Sequence, residues 1–411
     1  MLPASLAKFG GLSFVGWMVS AGGAMLLALV FAFLAKRHPA AGGVYAYTRE
    51  GFGDLAGFLV AWGYWISIWS ADAALSIAFV GYLDPFIPGI VRHPASAAML
   101  AVATLWFLTA VNSRGVVVAG RVQVVTTTLK LLPLVIVGIG GLMLFDASHF
   151  SGPAAAVASS AQHPLFAVVT MTMFAFVGLE SATIPAGAVK EPNRTIPRAT
   201  IVGTLFTALI YIASTAGAMS LVDPASLSQS SAPFAEAARV LGGDWLGRVV
   251  AAGAAISAFG ALNGWIMVAS QLSLAVARDG IFPSPFARVT STGVPVVGMV
   301  IAGVLSTALI ALNYSPSQSL VTLFTTIMLI STLSTLVPYT FCSLAVFLPV
   351  AGRHLQLTGT MAVIAALAFV FGIVAIVGAG SDVVFFGFLL LLAGLPVYVW
   401  VQRGKRPHEM P

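Results

Sequence analysis

Three ionisable residues sit deep inside long apolar stretches of the chain: Asp72, Lys130 and Glu180. At membrane depth a charge costs at least ~2.5–3.5 kcal/mol on insertion scales, so each of them needs a partner or a task. Asp72 shares one helical stripe with Tyr64, Ser67, Ile68, Ala71 and Leu75, spaced three and four residues apart. This predicts either a carboxylate that lines a solvated cavity and attracts a cationic group, or a structural acid satisfied by a nearby hydroxyl or by Lys130. Lys130 lies on one face with Gln123 and Thr127. A buried amine of this kind serves as a proton carrier or as a fixed cation that replaces a bound sodium ion or neutralises an acid. Glu180 comes just after Gly178 in the run Met173–Ser181, and Pro185 and Gly187 weaken the helix again downstream. This spacing predicts a discontinuous helix whose freed N–H and C=O groups bind ions and zwitterions near the midplane. A kinked but continuous helix is the plainer alternative.

These groups need long helices to hold them, and the composition supplies little else. Of 411 residues 59% are hydrophobic and 8% charged, with a mean hydropathy of +1.00. A soluble fold of this size needs a polar coat the chain does not have, so it reads as an all-α polytopic membrane protein. Long apolar segments bounded by Pro, Gly and charge fall near 12–35, 54–83, 96–112, 122–145, 165–190, 197–221, 246–276, 296–312, 318–348, 360–378 and 382–402, about eleven spans. Residues 1–402 form a single transmembrane transport domain on this reading, and 403–411 a short basic cytoplasmic tail.

Lys and Arg sort unevenly between alternate loops. Fourteen fall on one side, Lys36, Arg121, Arg278 and Arg403 among them, and only Lys8, Arg92, Arg239 and Arg248 on the other. The excess marks the first side, with the C-terminus, as cytoplasmic in a cell inner (plasma) membrane. The net charge of +6 therefore reports topology and not nucleic-acid binding. The stretch Leu2–Ala7 reads as the end of a helix, so the expectation is a stub of a truncated first helix.

Other chemistries find little support. The six histidines, His38, His93, His149, His163, His354 and His408, fall in loops or near interfaces. That speaks against haem ligation and an intramembrane metalloprotease. The single cysteine, Cys342, excludes disulfides and cysteine metal sites and has no histidine at its depth to activate it. No ring of polar residues lines a channel. Neither a cofactor nor a metal is called for, and the chain does not read as an enzyme. Gly253, Ser257, Gly260 and Gly264 form a small-residue stripe suited to close helix packing, and Trp265 beyond it packs or stacks over a cation.

Several stretches resemble the amino acid–polyamine–organocation (APC) superfamily, and within it the basic amino acid/polyamine antiporter family with its arginine/agmatine exchangers. Pro39-Ala40-Ala41-Gly42-Gly43-Val44-Tyr45-Ala46-Tyr47 is similar to that family's P-x-x-G-G-x-Y-x-Y signature after its second helix. Gly63–Trp69 resembles its third helix, Phe176–Ala182 its broken sixth, and Lys190–Pro197 the loop after that helix. Asn263-Gly264-Trp265 and Asp279–Pro283 resemble its eighth helix and the next loop, so the likeness runs from about residue 2 to 400.

The resemblance implies a five-plus-five inverted-repeat, leucine-transporter-like fold with two appended helices, in which the spans above are helices two to twelve. The family's glycine-rich break in helix one is absent, which leaves a truncated inactive homologue as one alternative. The resemblance makes Tyr45 and Tyr64 aromatic gate positions, and Trp265 the tryptophan that stacks on substrate. Phe174 stands where the exchanger has tryptophan, Ala175 where it has serine, and Asp72 where it has an asparagine that contacts substrate. With Ser67, Val177 and Gly178, these residues make the expected substrate site. Glu180 matches a glutamate implicated in proton sensing, and Lys130 resembles the lysine that replaces sodium in proton-coupled relatives. The expected function is secondary active transport of an amino acid or polyamine by alternating access, through arginine/agmatine-like exchange; the alternative is proton-coupled symport. The expected partners are that small molecule, protons, the lipid bilayer and a second copy in a homodimer.

Overall fold

Apolar runs this long can satisfy their backbone in lipid only as helix, and helices dominate the computed structural model. It describes residues 1–37, 42–114, 131, 133–150, 163–183, 189–313, 319–350, 353–354 and 356–404. A short α1 (Leu2–Ala7) leads into α2 (Leu12–Arg37), which ends on the basic pair Lys36 and Arg37. The amphipathic α3 (Val44–Phe52) and the long α4 (Asp54–Leu83) meet at Gly53, whose φ of 87° turns the chain between them. Next come α5 (Pro94–Ser113) and α6 (Pro133–Met143). After α7 (Pro164–Met173) come three-residue 3₁₀ turns at Phe174–Phe176 and Ser181–Thr183, and α8 spans Pro192–Leu221.

The second half holds the short α9 (Pro224–Gln229) and the 46-residue α10 (Pro233–Arg278), bent at Gly242 and Gly243. It continues with α11 (Val296–Asn313), α12 (Leu320–Ala345), α13 (Gly359–Val377), α14 (Ser381–Leu392) and α15 (Gly394–Arg403). A two-residue antiparallel pairing of Pro349–Val350 with Arg353–His354 closes the loop after α12.

Among the described residues, eight helices are long and apolar enough to cross a membrane, and the shorter apolar helices Pro133–Met143, Pro164–Phe176 and Val296–Leu312 join them. These fall on the expected spans, and the chain is a multi-pass membrane protein. Within α10 the backbone leaves helical geometry at Gly242 and Gly243, with φ of −149° and 69°, so the helix after this kink falls on the span expected near 246–276. The last span runs over Ser381–Arg403, as expected near 382–402, with a turn at Ala393 whose backbone stays in the helical region.

The packing centres on α4, which lies against α10 and α12, while α2 lies against α7 and α8. Hydroxyls pin the centre. Ser331 donates to the Ser67 carbonyl and Ser306 to that of Trp69, each at 2.8 Å, fixing α4 to α12 and α11. Glycine permits a close approach at Gly253, where a Cβ would run into Pro133. Gly253, the first residue of the small-residue stripe, thus packs α10 onto α6.

Candidate functional site

The site is built around the end of α7. Ser20 of α2 donates to the Val169 carbonyl at 2.9 Å and meets the Thr172 hydroxyl at 2.6 Å. Thr170 reaches across to the Ala375 carbonyl of α13 at 2.5 Å. Anchored on both sides, α7 is a fixed half-helix, and the chain departs from its geometry after Met173. The bonds Val177 N–H to Phe174, Leu179 to Phe176, Ser181 to Gly178 and Thr183 to Glu180 all span three residues instead of four. Gly178 has φ of 101°, which a residue with a side chain adopts only under strain, and a Cβ there would lie 3.0 Å from Trp265. The helix is therefore broken and not merely kinked. Among the described residues the ladder leaves out the carbonyls of Ala175 and Val177, as a break in mid-span must. Pro185 and Gly187 lie outside the described residues.

Glu180 points from this break into a closed clamp. Tyr64 of α4 donates its hydroxyl to Oε1 and Tyr339 of α12 donates to Oε2. The Tyr339 oxygen also accepts the Gly178 N–H at 3.3 Å. All three side chains are buried. The break, α4 and α12 are thus joined through one carboxylate, by charge-assisted bonds each worth about 1.5–3 kcal/mol. Sequence reasoning misses Tyr339. Its one local signal is a tyrosine beside Pro338 in an otherwise apolar span.

On the other side of the break lie two cavities. One, of about 320 Å³, is lined by residues 175–179 and Ser181 and by Thr200, Gly203, Thr204, Thr207 and Tyr211 of α8. The other, of about 230 Å³, is more apolar and includes Trp17, Leu75, Phe174, Ala175, Tyr211 and Phe324. Both are lined by Ala175 and Tyr211.

Most of the residues expected to bind substrate gather here. Phe174, Ala175, Val177 and Gly178 line these cavities, and Trp265 covers Gly178. Ser67 is buried and donates to the Tyr64 carbonyl at 2.7 Å. Asp72 is 1% exposed, and its Oδ1 has no hydrogen-bond partner among the described residues. Leu75, one turn further along α4, lines the second cavity.

Tyr45 belongs to a separate network. It lies outside the spans on α3 and donates to Asp279 at 3.0 Å. Arg49 bridges Asp54 at 2.7 Å and Asp279 at 3.2 Å, tying α3 to the start of α4 and the end of α10. Lys130 lies outside the described residues. Among the described residues no three His, Cys, Asp or Glu side chains gather to hold a metal.

Comparison with known proteins adds an independent line. The family profile for amino acid permeases matches residues 1–401. The cadaverine/lysine antiporter of Escherichia coli K12 is 32% identical over 416 residues, covering 100% of this chain and 92% of that protein. The putrescine transporter PotE of Haemophilus influenzae is 32% identical over 410 residues, covering 98% and 92%. The Escherichia coli K12 PotE is 29% identical over 406 residues, covering 97% and 90%.

Proposed function

The chain belongs to the amino acid permease family, and on that premise we propose that it exchanges a cationic amino acid for a linear polyamine across the membrane. The observation that carries this is the broken helix at Gly178, with its released backbone groups beside a cavity in mid-span. A small charged solute can trade its hydration there for backbone dipoles. Asp72 would meet the ammonium group. Phe174, Ala175 and Trp265 would flank the aliphatic chain.

The Glu180 clamp links the break to α4 and α12. It is suited to sense whether the site is filled and to hold one face closed until it is. A five-plus-five inverted repeat fits the order of the helices, with α7 and the residues after it as the broken helix that opens the second repeat. The Lys and Arg division supports a cytoplasmic C-terminus in the cell's inner (plasma) membrane.

The test is counterflow. Proteoliposomes loaded with lysine should take up labelled cadaverine or putrescine, and empty ones should not. Uptake that needs no internal solute but tracks a pH gradient would replace exchange with proton-coupled symport.

A further inference from the structure

The end of α10 and the last helix, α15, are pinned to the same ring. Gly280, with φ of 71°, turns the chain out of α10, and Ile281 returns its N–H to the Val276 carbonyl at 3.1 Å. The turn carries Phe282 onto Phe58 of α4, ring centroids 5.8 Å apart. Tyr398 of α15 meets Phe58 at 5.1 Å. Both walls are thus fixed on α4, and between them lies a groove of about 360 Å³ whose lining includes Ala277, Gly280, Phe282, Ser284, Trp400 and Gly404.

The groove sits where hydrocarbon gives way to headgroups. Phe388 of α14 and Trp400 of α15 are 57% and 65% exposed, as lipid-facing side chains are. A tryptophan near the end of a membrane helix occupies the interfacial layer, and Trp400 lines the groove itself. At its mouth two cations close the last turns of α10 and α15: Arg278, next to Ala277, and Arg403, next to Gly404. Both are exposed, and neither has an ion pair among the described residues. The acid beside Arg278 in sequence, Asp279, is taken instead by Arg49 and Tyr45.

An apolar floor, an interfacial indole and two unpaired guanidinium groups match an amphiphile with a hydrocarbon tail and an anionic head. The planar fork of arginine suits phosphate oxygens, and basic pockets between membrane helices take the head groups of anionic lipids. We propose that the groove between the end of α10 and α15 holds one anionic phospholipid, with its phosphate at Arg278 and Arg403 and its first methylenes against Phe282 and Trp400. The lipid straps α15 to the end of α10. The site is separate from the broken helix and does not depend on which solute is exchanged.

The experiment is native mass spectrometry of the full chain in detergent, titrated with phosphatidylglycerol or with phosphatidylcholine of the same acyl chains. The first bound phosphatidylglycerol should be held at least tenfold more tightly than phosphatidylcholine. Arg278→Gln with Arg403→Gln, both at exposed positions where folding does not depend on the charge, should weaken that binding about tenfold. Arg114→Gln with Arg198→Gln, which removes two exposed arginines elsewhere, should leave it within twofold. Equal retention of the two lipids, binding unchanged in the Arg278/Arg403 variant, or equal loss in the Arg114/Arg198 variant overturns the site. Release of the lipid by inorganic phosphate alone would make it a free-anion site and overturn the proposal as well.

Discussion

Glu180 and Asp72 are both carboxylates buried at membrane depth, yet their surroundings are opposite. Each Glu180 oxygen receives a tyrosine hydroxyl, from Tyr64 and from Tyr339. Asp72 has an Oδ1 with no partner among the described residues. A satisfied buried acid ties elements together, because removing any member strands the others in a low dielectric. An unsatisfied one is a standing cost that a cationic ligand can relieve. Under the proposed exchange the contrast gives the two acids different work: Glu180 would transmit the state of the break to α4 and α12, and Asp72 would attract the solute.

The largest expected effect comes from dismantling the clamp. Tyr64→Phe with Tyr339→Phe removes two charge-assisted bonds, about 3–6 kcal/mol together, and leaves the carboxylate buried and unpaired. Counterflow should fall at least a hundredfold, with each single change near tenfold. Glu180→Gln keeps a group of the same shape, so the protein should insert normally and exchange with a flattened pH profile. A double variant that exchanges within twofold of the unaltered protein, or a Gln variant with an unchanged profile, would erase the distinction between the acids.

Gly178→Ala comes next. It forces a side chain into φ of 101° and to within 3.0 Å of Trp265. The expected cost is about 1–3 kcal/mol, read as a lower melting temperature in detergent and roughly tenfold slower exchange. Asp72→Asn sharpens the other half of the comparison. It should raise half-saturation about tenfold for cationic solutes and little for neutral ones. Equal loss for both classes would make Asp72 a structural acid like Glu180.

Much of the fold is legible in the residues alone. Apolar length marks the spans, because lipid allows the backbone no other means of satisfaction. A glycine two residues ahead of an acid marks the break. The clamp is only half legible: Tyr64 and Glu180 stand out in sequence, but their joint partner Tyr339 lies 159 residues beyond the acid, and no local pattern encodes such a meeting. The threonines of α8 that line the larger cavity escape notice for a different reason. Threonine in an apolar helix normally bonds its own backbone, so a hydroxyl such as that of Thr200, with no partner among the described residues, cannot be told from its neighbours by type or spacing. Tyr45 is another residue whose partner is out of reach of any local pattern. The resemblance makes it a gate position, and the structure shows its hydroxyl bound to Asp279 at the end of α10, a pairing 234 residues apart in sequence.

That outlying network carries the smallest expected effect. Arg49 and Asp279 are 32% and 45% exposed, so solvent weakens their attraction to the ~0–1 kcal/mol of a surface pair. Tyr45 is better sheltered. Burial first, and then the Asp279 carboxylate, push its phenol well above the ordinary tyrosine value of 10.0, so it stays protonated and keeps donating. In the folded state Tyr45 holds its proton at a pH where the unfolded chain has lost it. The stability it contributes is therefore complete below 10.0 and declines as pH rises through and beyond that value. Tyr45→Phe should cost about 1 kcal/mol at neutral pH, read as a lower melting temperature in detergent, with exchange altered less than twofold. The gap between the two proteins should close as the buffer is raised past 10.0. A gap that stays constant across that range would mean that the phenol loses its proton as readily in the folded chain as in the unfolded one, against the shelter assigned to it here.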